Sequence, residues 1–197
     1  MNNFTFIKTK IDGVIIVETK TIGDNRGYFM ETYEQRKFAE GGITADFVQD
    51  NQSKSVKGVL RGLHLQKKHP QAKLVRVIKG TVYDVAVDLR EGSPTYSEYV
   101  GIILSEENKK QFFIPRGFAH GFLVLSDEAE FVYKCDDFYY PGDELGIAWN
   151  DPSIDVRWPD LVGEYRGSAS AEGYFLKDGT KIILSEKDEK LKTLNEI

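Results

Sequence analysis

The chain has 197 residues, of which 41% are hydrophobic, and carries a net charge of −5. A chain of this length can bury roughly 70% of its unfolded surface, so one domain with a sizeable core is expected. The acidic balance argues against nucleic acid or an anionic membrane as the main partner. The single Cys135 excludes an intramolecular disulfide framework and favours a reducing, cytoplasmic location.

Alternating apolar and polar residues predict short strands along most of the chain. In chain order they fall at residues 14–17, 47–49, 73–89, 99–104, 111–114, 121–125, 131–136 and 146–149. Residues 73–89 indicate two strands that turn at Lys79-Gly80, with Val85 and Val87 on one face and Asp84 on the other. Many short strands separated by turn signals are typical of an all-β sandwich or barrel.

Helical signals are few. Residues 31–40 predict a helix that ends at Gly41-Gly42, and residues 105–108 predict one turn. The charges and apolar spacing of residues 185–194 suit a terminal helix, which we place at 185–197, with Ser185 and Asp188 resembling a capping box. Residues 161–180 are polar and weakly patterned. They predict a surface insertion within a single domain of residues 1–197.

Two histidine segments match the two motifs of a cupin barrel except at the metal ligands. Gly58 precedes His64 by six residues, as the first motif requires, but Gln66 replaces the second histidine and Lys73 replaces the glutamate. The second motif, Pro-x-Gly-x-x-His, is complete and ends at His120. Because an ammonium group only donates hydrogen bonds and repels a cation, we expect no metal ion at this site.

An ammonium group in place of a metal ion can still stabilise negative charge on a carbonyl oxygen. A neighbouring histidine can take a proton near neutral pH. His64 and Lys73 therefore indicate proton abstraction α to a carbonyl, without a cofactor. The alternative is that His64 is a buried core histidine and that Arg61 and Lys73 are solvated. Two of the three histidines lie at cupin-motif positions, which favours the functional interpretation.

Inversion of a carbon centre needs a second group that returns the proton from the opposite face. A tyrosine suits this step because its phenol, with a pKa of about 10, stays protonated at neutral pH. Tyr133 lies on a predicted strand, and Tyr139 and Tyr140 follow in the next turn. Spacing alone leaves the choice among the three open.

Polar residues in the N-terminal half suit an anionic ligand that is rich in hydroxyl groups. Arg26 and Phe29 flank a flexible turn, a combination suited to a phosphate and a stacked base. Gln49 and Asn51 offer amides that can bind hydroxyls. Each of these residues taken alone is typical of an ordinary surface. Together they predict a ligand such as a sugar nucleotide.

The order and spacing of these residues resemble the dTDP-4-dehydrorhamnose 3,5-epimerase family from about residue 4 to residue 192. The resemblance rests on the segments Asp24-x-Arg26-Gly-x-Phe29-x-Glu31, Gln49-Asp50-Asn51, Gly58-Val-Leu-Arg61-Gly-Leu-His64, Gln71-Ala-Lys73-Leu-Val75, Asp84-Val-Ala-Val-Asp88-Leu-Arg90, Pro115-x-Gly-Phe-Ala-His120-Gly-Phe122, Tyr133-Lys-Cys135, Tyr139, Glu144-x-Gly-Ile-x-Trp-Asn-Asp-Pro152 and Leu184-Ser-Glu-Lys187-Asp188. It implies a cupin-like jelly-roll barrel that forms a homodimer, uses no cofactor and acts on dTDP-4-dehydro-6-deoxy-D-glucose in dTDP-rhamnose biosynthesis.

The resemblance also implies roles for individual residues. His64 would remove protons from C3 and C5, with Asp188 orienting it and Asp84 as the alternative orienting carboxylate. Tyr133 would return the proton from the other face, and Lys73 would stabilise the enolate. Ligand contacts are implied for Arg26, Phe29, Glu31, Gln49, Asp50, Asn51, Arg61, His120, Tyr139, Glu144 and Lys187, with Phe29 near the base and reaching it across the dimer.

A regular strand would place Arg61 and His64 on opposite faces. We therefore expect a bulge or bend at Gly62 if both side chains line the site. Three other functions stay open: a monofunctional 3- or 5-epimerase of a related 4-keto nucleotide sugar, a metal-dependent cupin oxygenase, and a sugar-nucleotide-binding module without turnover.

Overall fold

Two antiparallel sheets that face each other make up most of the fold. The computed structural model describes residues 3–163 and 173–197. Its strands are β1 (Phe4–Lys8), β2 (Ile15–Thr19), β3 (Thr21–Asp24), β4 (Gly27–Met30), β5 (Gln49–Val56), β6 (Leu60–Gln66), β7 (Lys73–Lys79), β8 (Thr81–Asp88), β9 (Tyr99–Ser105), β10 (Gln111–Ile114), β11 (Phe118–Val124), β12 (Glu128–Cys135), β13 (Glu144–Gly146), β14 (Leu161–Val162) and β15 (Phe175–Leu176).

The six-stranded sheet has the order β1-β2-β10-β7-β12-β5, and the five-stranded sheet has the order β13-β6-β11-β8-β9. Their inner faces enclose an apolar core in which Val75, Phe112 and Phe131 of the first sheet meet Val82 and Phe122 of the second. All five are at most 5% exposed. The architecture confirms the predicted all-β, cupin-like barrel.

The predicted hairpin of residues 73–89 is confirmed as β7 and β8, which turn at Gly80 with φ +78°. Val85 and Val87 pack on the outer face of their sheet, whereas Asp84 points into the barrel. Strand β5 begins at the end of the predicted residues 47–49 and runs to Val56. Its residues are polar on both faces, so no hydrophobic period marks it in the sequence.

The predicted helix of residues 31–40 is shorter in the structure. Helix α1 spans Gln35–Glu40, with the Glu34 side chain accepting a hydrogen bond from the Lys37 backbone N–H at 2.8 Å. It ends at Gly41, as predicted, and buries Phe38 against the outer face of the six-stranded sheet. In residues 3–163 and 173–197 no helix has the length and apolar content needed to cross a membrane.

The predicted C-terminal helix of residues 185–197 is wrong. The segment contains two short 3₁₀ turns, Asp188–Lys190 and Leu194–Glu196. Hydrogen bonds to the barrel replace those of a helix: Lys192 forms a bridge with Ile147, and the Leu194 N–H donates to Asp151 at 2.5 Å. The predicted cap survives, because the Asp188 N–H donates to the Ser185 hydroxyl at 3.1 Å.

The predicted surface insertion of residues 161–180 is described only in part, since residues 164–172 lie outside the described residues. Its flanks pair as β14 and β15. Tyr174 and Leu176 are 5% and 3% exposed, and the Tyr174 ring meets Trp149 edge-on at 5.0 Å. The prediction of a surface position is therefore wrong for these two residues, which cover the outer face of the five-stranded sheet.

The bulge predicted at Gly62 is present. His64 pairs with His120, whereas Arg61 pairs with Phe122, so three steps along β6 match two along β11. Gly62 has φ +123°, a region that favours glycine. The extra residue turns both Arg61 and His64 toward the same cavity.

We predict that Gly62→Ala lowers the free energy of unfolding by about 3 kcal/mol, because of its backbone conformation and steric overlap. A Cβ at this position would lie 2.5 Å from Gly121 Cα and 2.8 Å from the His120 carbonyl oxygen. Gly92→Ala is the control, since Gly92 also has positive φ (+74°) but no atom within 4 Å of the added carbon. The free energy of unfolding of Gly92→Ala should fall by only about 1 kcal/mol. Urea denaturation midpoints measure both, and equal losses would contradict the steric argument.

Candidate active site

A polar cavity opens between the two sheets. It has two adjoining lobes of about 370 Å³ and 480 Å³, a size suited to a small ligand. Both lobes are lined by the same five residues: His64, Lys73, Tyr133, Tyr139 and Glu144. The barrel thus brings together an imidazole, an ammonium group, two phenols and a carboxylate.

The His64 side chain is held by a buried carboxylate. Its Nε2 lies 2.5 Å from Oδ1 of Asp188, which is 2% exposed. Burial opposes ionisation of Asp188, but the hydrogen bonds to His64 and Ser185 outweigh it, so its pKa lies below the usual value. An ionised carboxylate can only accept hydrogen bonds, so Nε2 of His64 carries the proton and donates a hydrogen bond to Asp188. Nδ1 of His64 is then the free base, 3.7 Å from Glu144 Oε1.

Of the two carboxylates considered for His64, only Asp188 contacts it. Asp84 instead lies 3.0 Å from Nε2 of His120, with both of its oxygens. The reason is strand order, since β11 lies between β8 and β6. Strands are spaced about 4.8 Å apart, which places Asp84 within reach of His120 and away from His64.

We predict that Asp188→Asn lowers kcat by roughly 10²- to 10⁴-fold, because an amide can stabilise the wrong tautomer of His64 and cannot stabilise its protonated form. The affinity for substrate should change little, since Asp188 sits behind the imidazole. Glu189→Gln removes an exposed carboxylate from the same 3₁₀ turn and serves as the control. Steady-state kinetics of the two variants test the claim. A kcat of Asp188→Asn close to that of the control would contradict it.

Lys73 and Tyr133 lie on neighbouring strands with their side chains on the inner face of the six-stranded sheet. Burial lowers the pKa of Lys73, and the charges of Cys135, Asp84 and Glu144 oppose that shift. Burial raises the pKa of Tyr133, so its phenol stays protonated at neutral pH. Tyr140 is not part of the cavity wall; it stacks on His69 at 3.9 Å. The structure therefore narrows the choice of acid to Tyr133 and the more exposed Tyr139.

Comparison with known proteins identifies the family. The family model described as dTDP-4-dehydrorhamnose 3,5-epimerase matches residues 8–196. The chain belongs to the dTDP-4-dehydrorhamnose 3,5-epimerase family. An enzyme of that name from Methanothermobacter thermautotrophicus is 51% identical over 197 residues, covering 100% of this chain and 97% of its own. These findings confirm the predicted family and the predicted enzyme class, an epimerase.

Solved structures of epimerases have the same fold. The dTDP-6-deoxy-D-glucose-3,5-epimerase from Legionella pneumophila in complex with dTDP-4-keto-L-rhamnose has a TM-score of 0.86 and 49% identity, covering 98% of this chain and 94% of its own. A 3′-monoepimerase from Streptomyces bikiniensis in complex with dTDP-quinovose is more distant, with a TM-score of 0.80 and 29% identity over 95% of this chain and 86% of its own.

The remaining residues predicted for this epimerase site divide into two groups. Seven more of them lie in or beside the cavity: Gln49, Asn51, Arg61, His120, Tyr139, Glu144 and Lys187. The Lys187 ammonium lies 2.5 Å from Glu144 Oε2, and Arg61 donates to the Ser55 hydroxyl at 3.1 Å. These contacts hold the charged groups at the cavity wall before any ligand binds.

Four of the predicted ligand contacts lie outside the cavity of their own chain. Arg26 and Phe29 lie on the exposed β3–β4 hairpin, where Arg26 pairs with Asp24. Glu31 pairs with Lys37, and Asp50 pairs with Lys134 on the outer face of the six-stranded sheet. The fold of one chain therefore does not bring these four residues to the His64 cavity.

Gln66, which replaces the second cupin histidine, has a structural task in the epimerase. It is 5% exposed; its amide donates to the His69 and Phe138 carbonyls and accepts from the Tyr140 N–H at 2.8 Å. Within the part of the chain that the structure describes, no group of three His, Cys, Asp or Glu side chains is arranged to hold a metal ion. The donor set at the cupin position therefore does not fit one.

Sequence reasoning missed much of the cavity wall. Phe118, Phe122, Phe131, Ser53 and Gln71 line it as well. A signal in the sequence was present for four of the five. Phe131 shares the face of Tyr133 by period 2, while Phe118, Phe122 and Gln71 lie within the segments that carry the family resemblance.

Proposed function

We propose that the protein catalyses the 3,5-epimerisation of dTDP-4-dehydro-6-deoxy-D-glucose to dTDP-4-dehydro-L-rhamnose in dTDP-rhamnose biosynthesis, without a cofactor. The observation that carries the proposal is the His64–Asp188 pair facing Lys73 and Tyr133 in one cavity of a member of this family. The two 3,5-epimerases compared above support the double inversion, since they are 51% and 49% identical to the chain, whereas the 3′-monoepimerase is 29% identical.

The mechanism follows from the protonation states of these groups. Nδ1 of His64 takes the proton from a carbon next to the C4 ketone, and the C–H electrons move onto the ketone oxygen. The Lys73 ammonium stabilises that enolate oxygen, a contribution of about 2.7–4 kcal/mol per donor in comparable oxyanion sites. The Tyr133 phenol then gives a proton to the opposite face of the carbon, which inverts it. The enolate electrons return to the carbon in that step, after which protonated His64 releases its proton to solvent and the Tyr133 phenolate takes one up. With both groups restored, the same cycle at the other carbon gives the product.

The proposal is tested by incubating the wild-type protein with dTDP-4-dehydro-6-deoxy-D-glucose in D₂O and following the sugar by NMR. We expect deuterium at both C3 and C5 and formation of dTDP-4-dehydro-L-rhamnose. Exchange and inversion at one carbon only would indicate a monofunctional epimerase. Binding without exchange would indicate a binding module, and stoichiometric iron with no exchange would indicate an oxygenase.

We further propose that the enzyme is a cytoplasmic homodimer in which the β3–β4 hairpin contributes to the partner's site. Ile22, Tyr28 and Phe29 on this hairpin are 58%, 62% and 67% exposed, an apolar patch of the kind that marks an interface. Arg26 at its tip is free to meet a diphosphate once its pairing with Asp24 is exchanged. A second copy of the chain would cover the patch and bring Arg26 and Phe29 to a nucleotide.

This arrangement predicts activity from two defective variants. Arg26→Ala should raise KM without lowering stability, and His64→Ala should be inactive. When the two are co-expressed, a mixed dimer has one site with both an intact His64 and the Arg26 of the other protomer, so about a quarter of all sites should regain a normal KM. If Arg26 serves its own protomer, the mixture will show only the KM of Arg26→Ala. Kinetics at low substrate concentration measure the difference.

A further inference from the structure

Inversion at two carbons of one bound sugar uses His64 twice, so the proton that Nδ1 takes at the first carbon must leave before the second abstraction. The Nε2 side of the ring gives poor access to solvent, because it faces Asp188, which is 2% exposed. The Nδ1 side faces the cavity that the sugar fills. The proton therefore needs an acceptor at the cavity wall that also reaches solvent.

Glu144 lies beside Nδ1 of His64. It belongs to β13 and pairs with Gln66 of β6, two residues beyond His64. Diagonal neighbours on antiparallel strands share one face, and both side chains line the two lobes of the cavity. Oε1 of Glu144 lies 3.7 Å from Nδ1. A shift of about 0.8 Å would bring the two atoms to a hydrogen-bond distance of about 2.9 Å, and attraction between an imidazolium and a carboxylate favours that shift.

Glu144 also reaches solvent, unlike the buried Asp188. Its side chain is 23% exposed. Its other oxygen, Oε2, lies 2.5 Å from the Lys187 ammonium, whose side chain is 54% exposed, and accepts a hydrogen bond of 3.4 Å from the Tyr139 hydroxyl. These two partners hold Oε2, while Oε1 is directed toward His64. The carboxylate thus links the imidazole to the solvent-exposed part of the site.

We propose that Glu144 is a proton relay, which takes the proton from Nδ1 of protonated His64 and passes it to solvent while the sugar stays bound. The N–H bond at Nδ1 breaks as an O–H bond forms at Oε1. The Glu144 carboxyl then loses that proton to water, which restores the carboxylate and leaves His64 ready for the second carbon. The proposal rests on the proposed epimerase function, since inversion of two carbons needs the base twice.

The variant Glu144→Gln tests the relay in a single turnover with dTDP-4-dehydro-6-deoxy-D-glucose, with enqueued binding avoided by enough excess enzyme to bind all the sugar. The amide keeps the shape of the side chain but does not take up a proton. The ratio of the second inversion rate to the first should fall by about tenfold or more, so that singly inverted sugar accumulates. A purely structural or binding role would slow both inversions by the same factor. A ratio equal to that of wild type would overturn the proposal.

Glu186→Gln is the matched control. Glu186 precedes Lys187, is exposed and lines neither lobe of the cavity. Its ratio of inversion rates should equal that of wild type. The wild type also separates the two proposals. Inversion of one carbon or none by the wild type would contradict the proposed function, whereas inversion of both carbons with an unchanged ratio in Glu144→Gln would contradict the relay alone.

A second experiment needs no inversion. In Tyr133→Phe, a deuteron that His64 takes from substrate deuterated at C3 and C5 either returns to its carbon or escapes into H₂O. Adding Glu144→Ala should slow the loss of deuterium by about tenfold or more, and added formate should restore it, because this small base can take the place of the missing carboxylate. Loss of deuterium that Glu144→Ala leaves unchanged, or that formate does not restore, would overturn the relay.

Discussion

Replacing His64 by alanine should abolish exchange of both the C3 and the C5 proton of dTDP-4-dehydro-6-deoxy-D-glucose with D₂O. His64 lines the cavity with its Nε2 2.5 Å from Asp188, a carboxylate whose pKa lies below its usual value, so its Nδ1 is available as the base. His120 is a weaker base than an ordinary histidine, because burial lowers its pKa. General-base catalysis supplies roughly 10²- to 10⁴-fold, so kcat should fall by at least that much at both carbons.

The third histidine provides the control for this variant. His69 lies outside the cavity wall and stacks on Tyr140, so His69→Ala removes an imidazole without touching the chemistry. Its exchange rates should match wild type. Deuterium uptake at C3 or C5 that persists in His64→Ala would show that another base acts at that carbon. Uptake at one carbon only would divide the two steps between different bases.

The sequence was sufficient to predict the barrel wherever one face of a strand is apolar. β7 and β8 alternate between core and outer-face residues, and their hairpin turns where predicted. β5 and the β3–β4 hairpin are largely polar or exposed, so they carry no period that marks burial. The predicted helix at residues 185–197 was wrong for the opposite reason. Its apolar spacing resembles a helix, but its backbone bonds to Ile147 and Asp151 of the barrel instead.

The candidate site was predictable in its residue types and only partly in its partners. Both cupin-type histidines and Lys73 follow from local motifs. Their carboxylates do not, because Asp188 reaches His64 across 124 residues and Asp84 is matched to His120 by strand order. The alternation of side chains along β8 correctly placed Asp84 inside the barrel, but it does not indicate which histidine lies beside Asp84. Such pairings depend on sheet topology, which short motifs do not encode.

Replacing Tyr133 by phenylalanine should separate proton abstraction from inversion. His64 remains, so it can still remove a proton and return a deuteron from solvent to the same face of the carbon. Deuterium should therefore enter the substrate with retained configuration, while product formation falls by roughly 10²- to 10⁴-fold. NMR follows the rate of deuterium exchange and the rate of inversion in one sample. A ratio of exchange to inversion well above that of wild type would show that Tyr133 is the acid.

The control for this variant is Tyr83→Phe. Burial raises the pKa of Tyr83 to about 12, as it raises that of Tyr133, but the Tyr83 ring packs against Trp158 on the outer face of its sheet. The Tyr83→Phe variant should invert the substrate at the wild-type rate. If Tyr133→Phe also inverts at the normal rate, the acid is Tyr139, the other phenol at the cavity, and Tyr139→Phe should show the separation instead. Since Tyr139 is 53% exposed and hydrogen-bonds Glu144 at 3.4 Å, whereas Tyr133 is half-buried beside Lys73, we expect the proton to come from Tyr133.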